Sequence, residues 1–127
     1  MSKVFDPAEF GKIAEEIVEN VENNAVFRKS REAFLRTAIS RAYYSAFLLA
    51  REKKRLEVGI VSKSPEVHKE VMDWVYQKFG KKKYDQFLNL RRMRNEADYE
   101  LEKSVDVNHA KLAVKLFRKI VGKLDSA

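Results

Sequence analysis

The chain has no cysteine, only two prolines and only four glycines in its 127 residues. Without cysteine there can be no disulfide framework, no thiolate ligand for zinc and no cysteine nucleophile. No stretch approaches the roughly 18 consecutive apolar residues that a membrane-spanning helix needs, and no apolar run follows a basic N-terminus. These absences predict a cytoplasmic protein that is neither exported nor inserted in a membrane.

Several motifs that carry chemistry are also missing. The sequence holds no glycine-rich phosphate loop and no serine, histidine and aspartate pattern of a hydrolase. Its two histidines, His68 and His109, are not paired at helical spacing, so they do not form a zinc motif. We therefore expect no metal and no cofactor, and the sequence alone gives neither histidine a role.

Composition favours one folded domain over residues 1–127. Hydrophobic residues make up 45% and charged residues 35%, which supplies a core and argues against disorder. The net charge of +7 makes nucleic acid or another polyanion a possible partner. Residues 1–25 hold six acids against two bases, however, while residues 26–58 hold nine bases against three acids. Pairing between these two segments is the alternative interpretation.

Apolar residues recur at helical spacing, and helix-start signals divide the chain. Asp6, Pro7 and Glu9 are typical of a helix start, and Phe10, Ile13, Ile17 and Val21 follow at helical spacing as its predicted apolar face. Asn23 and Asn24 suit the end of this helix, and Asp106 can cap a last helix. The predicted helices run over about 7–23, from Ser30 to about Leu56, from Ser64 to Gly80, over about 84–101 and from 107 onward, with a basic loop at 81–83. No segment alternates long enough for a strand. The prediction is an all-α fold, an up-and-down antiparallel four-helix bundle with an additional short helix.

An arginine interrupts the apolar row of the fourth long segment. The row consists of Phe87, Leu90, Arg94, Ala97 and Leu101. A guanidinium group cannot be buried without a partner, and Asp98 lies one turn further along the same face. We expect an Arg94 to Asp98 ion pair, with a contact between Asn95 and Tyr99 beside it. A purely structural role for these pairs stays open.

The long central helix repeats this anomaly. Arg41 stands in the row of Phe34, Ala38, Ser45 and Leu48, and Tyr44 follows three residues later. Two arginines on two long helices can line one groove, where guanidinium groups bind phosphate and tyrosine rings stack on a base or ribose. The alternative is that the tyrosines are core residues whose hydroxyl groups reach water.

Three runs of the sequence resemble the HEPN family. They are the runs at 40–47 (SRAYYSAF), at 68–72 (HKEVM) and at 91–99 (RRMRNEADY). The resemblance covers most of the chain. It implies a helical bundle that forms homodimers and is often encoded beside a minimal nucleotidyltransferase, in toxin and antitoxin pairs.

Many HEPN proteins are metal-independent ribonucleases, whose motif is an arginine, a polar residue and a histidine four to six residues after the arginine. Arg94 and Asn95 match the start of this motif, but Tyr99 stands where the histidine is expected. A phenol with a pKa near 10 is a poor proton shuttle at neutral pH.

Three functional hypotheses follow. The first is a binding module without catalysis that contacts nucleotide, RNA or the partner through a set of groove residues: Arg41, Tyr44, Arg94, Asn95, Asp98 and Tyr99. The second is a dimeric ribonuclease toxin that uses Arg94 with Tyr99 or with a histidine from another helix. The third is a structural scaffold whose arginines only complete salt bridges.

Overall fold

A computed structural model describes residues 4–59 and 63–126, in which every regular element is an α-helix. The helices are α1 (Ala8–Asn20), α2 (Ala25–Lys29), α3 (Arg31–Val58), α4 (Val67–Phe79), α5 (Lys81–Tyr99) and α6 (Val107–Asp125). The predicted all-α fold is confirmed. Within the described residues, no helix combines the length and the apolar character that crossing a membrane requires.

Helix α3 lies at the centre and packs against α1, α4, α5 and α6. Small side chains make this possible, because Ala38, Ala42, Ala46 and Ala50 are fully buried and let neighbouring helices approach closely. Ser45 is also buried, and its hydroxyl group donates a 2.7 Å hydrogen bond to the Pro7 carbonyl oxygen just before α1. The predicted long helix from Ser30 is thus confirmed as the core of the fold.

The predicted basic loop at 81–83 is wrong, because these residues form the first turn of α5. Gly80 has φ 93°, a conformation that favours glycine, and it alone turns the chain from α4 into α5. The predicted break at 59–64 begins correctly at Gly59, whose φ of 81° ends α3. Residues 60–62 of that break lie outside the described residues.

Helix α2 is an element that the sequence patterns did not predict. The Asn24 side chain accepts a 2.9 Å hydrogen bond from the Val26 N–H group and caps this short helix. The sequence pattern predicts Asn24 only as the end of the first helix. Five residues are too few to show a helical period, which explains the miss.

The buried face of α1 differs from the predicted one. Ile17 and Val21 are buried as expected, but Ile13 is 50% exposed, and Gly11 and Ala14 face the core instead. Gly11 lies directly against the ring of Phe117 on α6. The missing side chain at Gly11 therefore makes room for that ring, a long-range requirement that helical periodicity alone does not reveal.

The predicted cap of the last helix is confirmed. Asp106 Oδ1 accepts a 3.0 Å hydrogen bond from the His109 N–H group, and His109 Nδ1 accepts a 3.1 Å bond from the Asp106 N–H group. This reciprocal arrangement satisfies donors at the start of α6. His109 thus has a structural role in a capping box.

Charge pairing between residues 1–25 and residues 26–58 is limited. Among the described residues, a single ion pair joins the two segments, between Glu22 and Arg31 at 2.5 Å. Glu15 of α1 instead pairs with Arg118 of α6, also at 2.5 Å. Most basic residues of the central helix are therefore not neutralised by the acidic first segment.

We predict opposite effects of one substitution at two helical glycines. A Cβ atom at Gly11 would lie 2.1 Å from Phe117 Cζ, whereas a Cβ atom at Gly122 meets open space. Gly11→Ala should lower the free energy of unfolding by about 1–3 kcal/mol through overpacking. Gly122→Ala should raise it by about 0.5–1 kcal/mol, because alanine favours the helix. Urea unfolding measures both, and equal changes would contradict the contact between Gly11 and Phe117.

Candidate functional site

Arg94 lies at the centre of a polar and aromatic cluster between α3, α4 and α5. Only 13% of its side chain is exposed, and its Nε atom lies 3.0 Å from Asp98 Oδ2. The predicted Arg94 to Asp98 ion pair is thus confirmed. The Nε–H bond itself meets no hydrogen-bond acceptor among the described residues, so Asp98 neutralises the charge without saturating the donors.

The remaining Arg94 donors bind three neighbours. Nη1 donates to Asn95 Oδ1 at 2.8 Å, and Nη2 donates to the hydroxyl groups of Tyr44 and, at 3.3 Å, of Tyr99. The predicted contact between Asn95 and Tyr99 is not present, since both side chains bind Arg94 instead. One guanidinium group therefore holds residues of α3 and α5 together.

Aromatic rings surround the same guanidinium group. The Arg94 Cζ atom lies 4.8 Å from the ring centroid of Tyr44, 5.3 Å from that of Tyr99 and 5.8 Å from that of Tyr43. These distances suit cation–π attraction. Tyr99 is 68% exposed, so its ring offers a face to solvent.

Arg41 approaches the cluster from α3. Its Cζ atom lies 5.2 Å from the Tyr44 ring centroid and 4.9 Å from the ring of Phe10 on α1. Its Nη2 atom donates a long 3.4 Å bond to Ser40 Oγ, which in turn donates to Asp98 Oδ2 at 3.1 Å. The two arginines that the sequence singled out thus share one tyrosine ring. Arg41 forms no ion pair with a carboxylate of the described residues.

A shallow groove of about 550 Å³ opens beside Arg41, between α3 and the end of α5. Its lining includes Ser40, Arg41, Ala97, Asp98 and Leu101. Leu101 was predicted to continue the apolar row of α5, but it lies beyond the helix and is 81% exposed, and Met93 takes a buried place instead. A smaller concavity of about 200 Å³ near His109 contains none of the cluster residues.

Arg36 fixes the end of α5 against α3. Its guanidinium group donates to the carbonyl oxygens of Ala97 at 2.9 Å, Glu100 at 3.3 Å and Lys103. These are carbonyl groups at and just beyond the helix C-terminus, where a cation is favourable. Arg36 therefore sets the position of Arg94 and Asp98 relative to α3, and the sequence patterns did not identify it.

His68 of α4 belongs to the cluster, although no sequence motif assigns it a role. Its Nδ1 atom lies 2.6 Å from the Tyr43 hydroxyl oxygen, and its ring stacks on Phe47 with centroids 4.1 Å apart. One sequence feature could have identified His68. It precedes the buried Val71 and Met72 by three and four residues, which places it on the inner face of α4.

Burial and nearby positive charge keep the His68 imidazole neutral, and burial keeps the Tyr43 hydroxyl group neutral. Burial, and then the charges of Arg91 and Arg94, lower the pKa of His68. Burial raises the pKa of Tyr43, and the same two arginines oppose that rise only in part. Since the Tyr43 hydroxyl has no other acceptor among the described residues, we infer that it donates to His68 Nδ1. The neutral imidazole then carries its proton on Nε2.

Arg91 is the second residue that the sequence patterns missed. Its Nε atom is buried and has no hydrogen-bond partner in the described part of the chain, and Nη1 contacts only the Met72 sulfur, at 3.8 Å. No carboxylate of the described residues pairs with it. The cluster thus holds three guanidinium groups, on Arg41, Arg91 and Arg94, against the single carboxylate of Asp98.

Metal binding has no support in this geometry. Among residues 4–59 and 63–126, no three histidine, aspartate or glutamate side chains lie together as a metal site would require. The excess of cations in the cluster instead suits an anion that accepts several hydrogen bonds, such as a phosphate group.

We predict that Arg91→Gln raises the pKa of His68 toward its ordinary value, because one of the charges that oppose imidazole protonation is removed. An NMR titration of the histidine ring resonances between pH 4 and 8 measures the change. His109 provides an internal reference resonance, because it lies in the α6 capping box and bonds to Asp106. An unchanged His68 titration would contradict the coupling between Arg91 and the imidazole.

Comparison with known proteins adds neither a family nor a function to this geometry. A scan against models of protein families finds no match for the chain. Searches of curated proteins and of solved structures find no match either. The HEPN resemblance stays a prediction from the sequence, and the functional conclusion rests on the residues and contacts described above.

Proposed function

We propose that this chain is a HEPN-type helical module that binds the phosphate groups of a nucleotide or of RNA at the cluster around Arg94. The observation that carries the proposal is the lack of a carboxylate partner for Arg41 and Arg91, both of which lie in the cluster. Partly buried cations need an anion nearby, and Asp98 is engaged by Arg94.

The aromatic side chains supply the other half of a nucleotide site. Tyr44 and Tyr99 flank Arg94, and Tyr99 presents an exposed ring on which a base can stack. Arginine is suited to phosphate because its planar group donates two parallel hydrogen bonds. Stacking and charge together favour a nucleotide over a simple inorganic anion.

We assign Arg94 a structural role, which is to position the side chains around it. It already contacts Asp98, Asn95, Tyr44 and Tyr99, so it positions the rings more than it offers free donors. The scaffold hypothesis thus applies to Arg94, while Arg41 and Arg91 are the residues that bind ligand. This division makes the two hypotheses separable by substitution.

The resemblance extends the proposal to architecture and partners. A HEPN-type module is an up-and-down antiparallel four-helix bundle with an additional short helix that works in the cytoplasm as a homodimer. Its partner is a minimal nucleotidyltransferase, whose nucleotide chemistry agrees with a phosphate site on this chain. Sedimentation of the purified protein, alone and with such a partner, tests these associations.

We predict that ATP binds to the protein and that Arg41→Gln and Arg91→Gln each weaken binding about tenfold to a hundredfold. The reason is that each substitution removes charge-assisted hydrogen bonds to phosphate. Isothermal titration calorimetry measures the affinities. Arg92→Gln is the matched control, because Arg92 adjoins Arg91 on α5 but is exposed and bonds to Asn89.

The pattern across these variants decides between binder and scaffold. Loss of affinity in Arg41→Gln and Arg91→Gln with ordinary affinity in Arg92→Gln supports the phosphate site. No heat of binding from wild type at millimolar ATP contradicts it. An equal loss in all three variants also contradicts it, because only the net charge would then matter.

RNA cleavage is the second candidate, and the position of His68 favours it. Tyr99 occupies the place of the motif histidine, but His68 contributes an imidazole from α4 to the same cluster, beside Tyr43. With its proton on Nε2, this imidazole can donate a hydrogen bond to a phosphate or 2′-hydroxyl oxygen, and it can accept a proton only after the Tyr43 hydroxyl releases Nδ1. The binding proposal, by contrast, requires no cleavage.

We predict that total RNA incubated with the protein in EDTA stays intact, as a binding module requires. Gel electrophoresis over several hours measures this, with His68→Gln and Arg94→Ala run in parallel. Cleavage by wild type that both substitutions abolish would replace the binding module by a metal-independent ribonuclease. Cleavage that persists equally in both variants would identify a contaminating nuclease.

A further inference from the structure

Four lysines form a continuous row along the solvent-facing side of α6. Lys111, Lys115, Lys119 and Lys123 are all exposed and follow one another at four-residue spacing. On a helix, side chains four residues apart are neighbours, and each step advances about 6 Å along the axis. We call this row the lysine ladder. It extends over about 18 Å, on the side opposite the buried face that packs on α3.

The ladder has no counter-charge within the described residues. None of its four lysines forms an ion pair there, and the only acid in α6 is Asp125 at its end. Several exposed cations of other helices have a carboxylate partner, as in the pairs Arg55–Glu52, Lys69–Asp73 and Lys81–Asp85. Like charges at four-residue spacing repel each other, so the ladder weakens its own helix unless an anion binds.

Two further lysines extend the ladder across to α5. The Lys83 ammonium group donates to the Lys119 carbonyl oxygen at 3.4 Å, which joins the start of α5 to the end of α6. Burial, and then the charges of Lys82, Lys119 and Lys123, lower the pKa of Lys83. These lysines are therefore close enough for their positive charges to repel one another.

We propose that the lysine ladder is a second, separate binding surface that holds the phosphate backbone of single-stranded RNA. A row of equally spaced cations matches a linear polyanion, whose neutralisation releases counterions. An anionic membrane fits less well, because Leu112 is the one large apolar side chain that the described part of α6 exposes, and aromatic anchors are missing. The inference rests on the proposed function for its RNA ligand but uses different residues.

The test measures the binding of a fluorescein-labelled 20-nucleotide polyuridine strand by fluorescence anisotropy at several KCl concentrations. The ladder variant carries Lys111→Gln, Lys115→Gln, Lys119→Gln and Lys123→Gln. It should bind at least about tenfold more weakly in low salt. The slope of log affinity against log salt should fall by about two to three, since each phosphate contact on a single strand contributes about 0.7.

A matched control separates the ladder from net charge. The control variant removes the same number of exposed charges elsewhere, through Lys12→Gln, Arg28→Gln, Lys29→Gln and Lys63→Gln. It should keep the wild-type affinity and slope, and so should a ladder variant with four lysine-to-arginine substitutions. Circular dichroism establishes that each variant folds. Equal losses in the ladder and control variants, or no loss in either, would overturn the proposal.

Other occupants of the ladder give distinct results. Anionic phospholipid vesicles that bind more tightly than the RNA in a ladder-dependent way would overturn the proposal in favour of a membrane. Ladder-dependent self-association at low salt, with the acidic α1 of a second copy as the partner, would also overturn it.

Failure of this inference is distinguishable from failure of the proposed function. ATP binding is measured against Arg41→Gln and Arg91→Gln, which change no ladder residue, so the loss in these variants reports on the cluster. The ladder variant should therefore bind ATP with ordinary affinity while it loses the salt-dependent RNA binding that the ladder provides. ATP binding without ladder-dependent RNA binding would overturn the ladder only.

Discussion

Close packing around α3 is the constraint on which the rest of the structure depends. One helix can contact four others only if its own side chains are small where they meet, and fully buried alanines meet this need on α3. The ring of Phe117 uses the space at Gly11 in the same way between α1 and α6. Arg36 adds polar contacts between α3 and α5, because its guanidinium group donates hydrogen bonds to the carbonyl groups at the end of α5. These contacts fix α5 relative to α3 and thereby place the polar cluster.

The cluster combines a neutral inner layer with a charged outer layer. Tyr43 is fully buried and its hydroxyl group meets His68, while Tyr44, the next residue, turns outward toward Arg41 and Arg94. The inner pair is kept neutral because charge is costly where water is absent. The outer arginines keep their charge and are only partly neutralised by Asp98. This contrast is what makes an anionic ligand chemically plausible at the cluster.

Positive charge is distributed unevenly over the molecule. Several exposed cations of α3, α4 and α5 are paired locally, whereas Arg41, Arg91 and the lysine ladder are left without carboxylates among the described residues. The two unpaired regions lie on different helices and differ in chemistry. Arginine with aromatic rings suits one nucleotide, and spaced lysines suit an extended backbone. One RNA molecule with a free end is a ligand that both regions suit.

Local patterns in the sequence determined the helices, the Asp106 cap and the ion pair between Arg94 and Asp98. These are short-range features whose geometry follows from 3.6 residues per turn and a 1.5 Å rise. The arginines at 41 and 94 were detectable for the same reason, since each breaks an apolar row. The function of these two arginines was not detectable from the pattern. The HEPN resemblance supplied only an expectation of it.

Tertiary structure alone decided which distant residues meet. His68 reaches Tyr43 across 25 positions of the sequence, and Arg36 reaches the end of α5. The Arg91 Nε atom is buried without a hydrogen-bond partner among the described residues. Periodicity fixes which face a residue occupies but not which neighbour that face contacts. The loop predicted at 81–83 and the burial predicted for Ile13 are wrong because both depend on how whole helices pack. The pairing of side chains from different helices is set by the shape of the core, which no local pattern contains.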